Sequence, residues 1–174
     1  MLNTKKMVIT ALFIAIGIVL PLAFHSVPNA GRVFLPMHIP VFLCGLVCGF
    51  PYGLFCGLLV PPLASLFTGM PPVPILPAMI FELAAYGTVS GLLMNFLPVK
   101  NLYARIYVSL IGGMLLGRVL FGVMNAFVFS AGNYSFDIWV TAAFVTALPG
   151  IILQIVAVPV VVVALDKTRL VKLN

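Results

Sequence analysis

The chain has 174 residues, of which 63% are hydrophobic and 7% charged, and its mean hydropathy is +1.27. Soluble domains carry roughly a quarter of their residues as Asp, Glu, Lys or Arg, so a water-facing surface is excluded and an all-α integral membrane protein is the expected class. The net charge of +6 does not mark a nucleic-acid binder, because the basic residues sit at chain ends and loops and form no patch interleaved with aromatics.

A spanning helix needs about 20 apolar residues, and the chain offers six candidate segments in one compact membrane domain. The first runs from about Lys6 to Phe24. Lys5 and Lys6 precede it as in a signal peptide, but no small-x-small site closes it, so a retained helix is expected. His25 to Arg32 is polar and turn-rich. The apolar block from His38 to Phe67 is broken at Gly49-Phe50-Pro51-Tyr52-Gly53. Its halves, 38–50 and 53–67, read as a hairpin of two helices too short to span upright, with the turn at Pro51. Thr68 to Pro77 is too proline-dense for helix. The fourth, fifth and sixth helices are expected at about 78–97, 103–129 and 138–165, and the tail from Asp166 to Asn174 is basic.

Lys and Arg placement sets the orientation. With the N-terminus inside, Lys5, Lys6, Lys100, Arg105, Lys167, Arg169 and Lys172 all face the cytoplasm, and only Arg32 lies outside. Both termini are therefore expected in the cytoplasm. Cys44, Cys48 and Cys56 lie inside apolar segments and read as small packing residues.

Ionisable groups in lipid cost a few kcal/mol or more, so those within the segments are informative. Arg118 falls in the middle of the fifth helix and must face the bundle interior, with Asn125 seven residues on along the same face. Glu82 lies near the outer end of the fourth helix, with Tyr86 one turn deeper. At ~1.5 Å per residue, Arg118 is expected about 10 Å deeper than Glu82 and Asn125. In the sixth helix Gln154, Gly150, Thr146 and Trp139 step outward on roughly one face. Arg118 and Glu82 either pair with each other or recognise a ligand. Tyr86, Phe121 and Trp139 serve either as core and interfacial aromatics or as pocket walls. Asn125 and Gln154 are either interhelical hydrogen-bonding residues or ligand contacts.

No spacing supports a metal site from His25, His38 and Glu82, and no GxSxG, P-loop or dinucleotide-binding glycine pattern occurs. With three acids in all, an enzyme is not expected. A small membrane enzyme or a scaffold subunit stands as the alternative class. Ala11 and Ala15, four apart with Gly17 nearby, let another helix approach closely, either within the chain or in a partner subunit.

The pattern as a whole resembles the substrate-binding S components of energy-coupling factor (ECF) transporters, which import vitamins in bacteria and archaea. The similarity covers nearly the whole chain. It rests on size, six segments, the AxxxA pattern Ala11-Leu12-Phe13-Ile14-Ala15, and the stretch Phe34-Leu35-Pro36-Met37-His38-Ile39-Pro40-Val41 running through Gly45 into Gly49-Phe50-Pro51-Tyr52-Gly53. The resemblance implies a multi-pass protein of a bacterial or archaeal cytoplasmic membrane that binds its ligand from outside, under the first outer loop as a lid. It implies docking of the AxxxA face onto a membrane coupling subunit, with two cytoplasmic ATPases that consume the ATP, and no cofactor in this chain. The ligand would be a small vitamin or precursor such as pantothenate, folate, niacin, pyridoxine or a pyrimidine. Arg118 suits a carboxylate; Glu82 suits an amine or a pyridine- or pyrimidine-like ring. On this reading the substrate contacts are Arg32, His38, Glu82, Tyr86, Arg118, Phe121, Asn125, Trp139 and Gln154.

Overall fold

A computed structural model describes residues 3–23, 30–129 and 134–168, and within them every regular element is helical. The helices are α1 (Thr4–Ala23), α2 (Ala30–Phe34), α3 (His38–Cys48), α4 (Phe50–Thr68), α5 (Leu76–Phe96), α6 (Leu102–Met124), α7 (Phe136–Val140) and α8 (Leu148–Lys167). Two π-helical stretches, Asn125–Phe129 and Thr141–Thr146, continue α6 and α7. Five helices are long and apolar enough to cross a membrane: α1, α4, α5, α6 with its π extension, and α8.

Three expectations change. The break in the 38–67 block falls at Gly49 and not at Pro51. Gly49 takes φ 96°, open to glycine at little cost, and Phe50 already begins α4 with Pro51 in its first turn. The second half of the block gains residues at both ends, so α4 is 19 residues long and no longer too short to cross; α3, with 11, remains short. The expected single helix over 138–165 is instead α7, a π stretch and α8. The chain turns at Ala147, and Pro149 starts α8, where a missing N–H costs nothing.

The centre of the fold is a glycine seam. Gly53 and Gly57 on α4 and Gly87 and Gly91 on α5 line it, each pair four residues apart and so on one helix face. A Cβ on Gly53 would collide with the Gly87 carbonyl, and one on Gly87 with the Gly53 carbonyl. A Cβ on Gly57 would strike the Leu83 backbone, and one on Gly91 would lie 2.5 Å from the Phe50 nitrogen. From α3, a Cβ on Gly45 would lie 2.5 Å from the same Gly87 carbonyl. Backbone thus meets backbone, the close approach that small residues permit where lipid supplies no hydrophobic drive. Val41, Phe42, Leu46, Val60, Leu83, Tyr86 and Leu110 fill the space around it.

The α1 helix leans on this unit through Thr10, Phe13 and Gly17, which are buried. Its start is tied to the α3–α4 junction: Lys6 Nζ donates to the Cys48 carbonyl at 2.9 Å, and the Asn3 amide donates to the Tyr52 hydroxyl at 2.7 Å. The three cysteines are free and buried, and the Cys44 thiol lies 3.6 Å from the Thr10 hydroxyl. Ala11 and Ala15 fall on the opposite, exposed face of α1.

Candidate functional site

The ionisable residues of α5 and α6 meet. Gly117 lets the helices close: a Cβ there would strike the Tyr86 ring and lie 3.1 Å from the Glu82 carbonyl. The backbones are therefore level at this point, and the expected 10 Å offset between Arg118 and Glu82 does not exist. Arg118 Nη1 lies 2.9 Å from Glu82 Oε1, and the Tyr86 hydroxyl donates to the same oxygen at 2.6 Å. Both carboxylate and phenol are 1% exposed. The sequence left pairing and ligand recognition open for these two charges; the pair is formed.

His38 opens α3 and brings its Nε2 to 4.0 Å from Glu82 Oε2. Its approach is set upstream, where buried Leu35 takes φ 51°. A non-glycine residue held there stores about 1–3 kcal/mol of strain. The Tyr86 ring stacks on Phe42 at 4.6 Å between centroids and tilts against His38 at 5.4 Å. Phe42 was not singled out in the sequence, where it reads as one more apolar residue of α3.

Trp139 closes one side. Its indole N–H donates to the Arg118 carbonyl at 2.9 Å, and its ring rests on Gly122, where a Cβ would lie 2.5 Å from Nε1. Asn125 is buried at the point where α6 turns into its π stretch, and its side-chain amide donates to the Phe121 carbonyl at 2.9 Å. Phe121 is half-buried. The π stretch over 141–146 shifts the helical phase, so Thr146 is exposed and does not continue the face of Gly150 and Gln154 as expected. Those two are buried. Gly150 receives α2, since a Cβ there would lie 2.7 Å from the Val33 carbonyl. Gln154, one turn along α8, is 2% exposed.

Among the described residues several buried polar atoms have no hydrogen-bond partner: both His38 ring nitrogens, Gln154 Nε2 and the Tyr134 hydroxyl. Buried polar groups are normally satisfied, and each exception calls for an explanation. Tyr134, in the connection before α7, was missed by sequence reasoning. Burial first and then the Glu82 carboxylate push its phenol above the usual tyrosine value, with Arg118 acting the other way. The side chain of Arg32 and the stretch 24–29, with His25, lie outside the described residues, so the expected lid is described only as α2 seated on α8. An open, apolar groove of about 270 Å³ lies between α6 and α7, lined by Val119, Gly122, Val123, Phe136, Trp139 and Tyr134 among others, several of them exposed. It borders the polar cluster through Trp139 and Tyr134. Among the described residues no group of three or more His, Cys, Asp and Glu is placed to hold a metal.

The model of the ECF transporter substrate-specific component family matches residues 5–162. The chain belongs to that family. No curated protein matches the chain. As an S component it is a membrane transport subunit that binds substrate, and catalysis of a reaction is not its role in the transporter. Family membership also implies association with a coupling subunit and ATPases.

Proposed function

We propose that this S component captures a small water-soluble vitamin or vitamin precursor from the outer side of the membrane and hands it inward with a membrane coupling subunit and two cytoplasmic ATPases. The observation that carries this reading is the buried Glu82–Arg118–Tyr86 cluster, with the His38 imidazole beside it, 4.0 Å from Glu82 Oε2. A bundle that needed only stability would gain more from apolar packing, because a buried ion pair often fails to repay its desolvation. A small ligand supplies the missing partners. Arg32, Phe121, Asn125 and Trp139 complete the proposed contact set. We infer from the Lys and Arg bias that both termini lie in the cytoplasm and that the chain has six membrane segments, α3 being a short one.

The test is ligand binding by the purified protein in detergent. Arg118→Gln and Glu82→Gln should each weaken binding at least ~10-fold, about 1.4 kcal/mol, while the protein stays folded. Normal binding by both variants would mean that the pair only braces α5 against α6.

A further inference from the structure

We propose that the substrate carries no net charge and is a planar heterocycle presenting hydrogen-bond donors and acceptors, not a carboxylate. The inference rests on the site assignment above and narrows its ligand class. Three features of the cluster support it.

The first is charge balance. Arg118 is the one arginine placed in the bundle interior among the described side chains, and its guanidinium already faces Glu82 Oε1 at 2.9 Å. Lys6 is engaged elsewhere, at the Cys48 carbonyl. A ligand carboxylate would join Arg118 only by competing with Glu82, which would leave two anions and one guanidinium in a place shut off from water. Buried charges without partners are strongly disfavoured. A neutral ligand leaves the pair intact.

The second is the nature of the vacant groups. Imidazole in its neutral form offers one N–H donor and one acceptor nitrogen, a glutamine amide offers N–H donors, and a phenol does both. His38 is 1% exposed and Gln154 2% exposed, and among the described residues neither the His38 nitrogens nor Gln154 Nε2 has a hydrogen-bond partner. The His38 nitrogens, beside Glu82, and the Tyr134 hydroxyl match ring nitrogens, hydroxyls or amino groups. None of them brings a fixed positive charge for an anion.

The third is shape. Phe42, Tyr86 and His38 form a run of rings, stacked and then tilted, and Trp139, whose indole donates to the Arg118 carbonyl, lines the groove between α6 and α7. Aromatic faces pair with planar rings in offset or edge-on arrangements.

The experiment uses matched pairs that differ by a carboxylate: pyridoxine and 4-pyridoxate, nicotinamide and nicotinate, and 4-amino-5-hydroxymethylpyrimidine and its 5-carboxylate. Binding to the purified wild-type chain is read by thermal stabilisation and calorimetry. The expected result is that a neutral heterocycle binds at least ~10-fold tighter than its carboxylate. Glu82→Gln should shift that ratio toward the carboxylate by a similar factor, because Arg118 is then unmatched. The wild-type comparison stands even where the variant does not fold. A carboxylate that binds as well as its neutral partner, and loses binding in Arg118→Gln, overturns the inference and leaves the site assignment standing. Binding by none of these compounds, or binding indifferent to Arg118→Gln, overturns both.

Discussion

Gly117 lies against the face of Tyr86 with no room for a methyl group between them. Alanine at 117 must displace the ring whose hydroxyl donates to Glu82 at 2.6 Å. Overpacking of this kind costs about 1–3 kcal/mol. Gly117→Ala should therefore lower the thermal midpoint in detergent and weaken substrate binding together. Unchanged binding would show that the position of Tyr86 is immaterial to the ligand.

Gly150 makes a second prediction, about the cover. The carbonyls of α2 rest on this glycine, with a would-be Cβ 2.7 Å from the Val33 oxygen. Here the obstacle is backbone, which cannot swing aside as a side chain can. Gly150→Ala should lift α2 from α8 and speed ligand release several-fold, while association changes little. The check is a stopped-flow or surface-capture measurement of the dissociation rate. An unaltered rate would remove α2 from the closing of the site.

The exposed small face of α1 gives a third. Ala11 and Ala15 point away from Thr10, Phe13 and Gly17, which pack inward. Tryptophan at either alanine should block assembly with the coupling subunit and abolish uptake. Substrate binding by the isolated chain should stay within about twofold, since surface changes away from packed features usually fall within ±0.5 kcal/mol. Loss of binding would mean that this face serves the chain's own fold.

Topology supplies the fourth. Reporters fused at Lys172 and inserted between Ser130 and Asp137 should report the cytoplasm and the exterior respectively. The Lys and Arg bias motivates this. Reports from the same side would overturn the six-segment arrangement.

The sequence made some of this legible, and physics explains the division. Hydropathy marks helices because lipid demands long apolar runs, and Arg118 and Glu82 stand out because charge in lipid is costly. Their mutual level was not legible. Depth counted along one helix says nothing about how far its neighbour is displaced, and here that displacement is set by Gly117 against the Glu82 carbonyl. The face of Thr146 was misjudged because a π stretch has no clear composition signal and moves every later residue around the axis. The seam was half visible: Gly53 and Gly57 show the same spacing as Ala11 and Ala15, yet nothing in the chain says which small-residue face turns inward. Tyr134 and Phe42 gave no signal of their own, since each acquires its role only from the side chains around it.

The glycine seam also separates two kinds of freedom. Between α4 and α5 the spacing is fixed by main-chain atoms, so no choice of rotamer or larger residue can retune it. Glu82 rides on that unyielding spine. Arg118, Trp139 and Gln154 ride on α6 to α8, where π turns and a proline break already depart from regular geometry. Substitutions that re-aim the recognition of small molecules will therefore be tolerated better on α6 to α8, away from Gly117, Gly122 and Gly150, than on α4 and α5. A library meant to change what this protein carries should leave Gly45, Gly53, Gly57, Gly87 and Gly91 untouched and vary the wall that faces them.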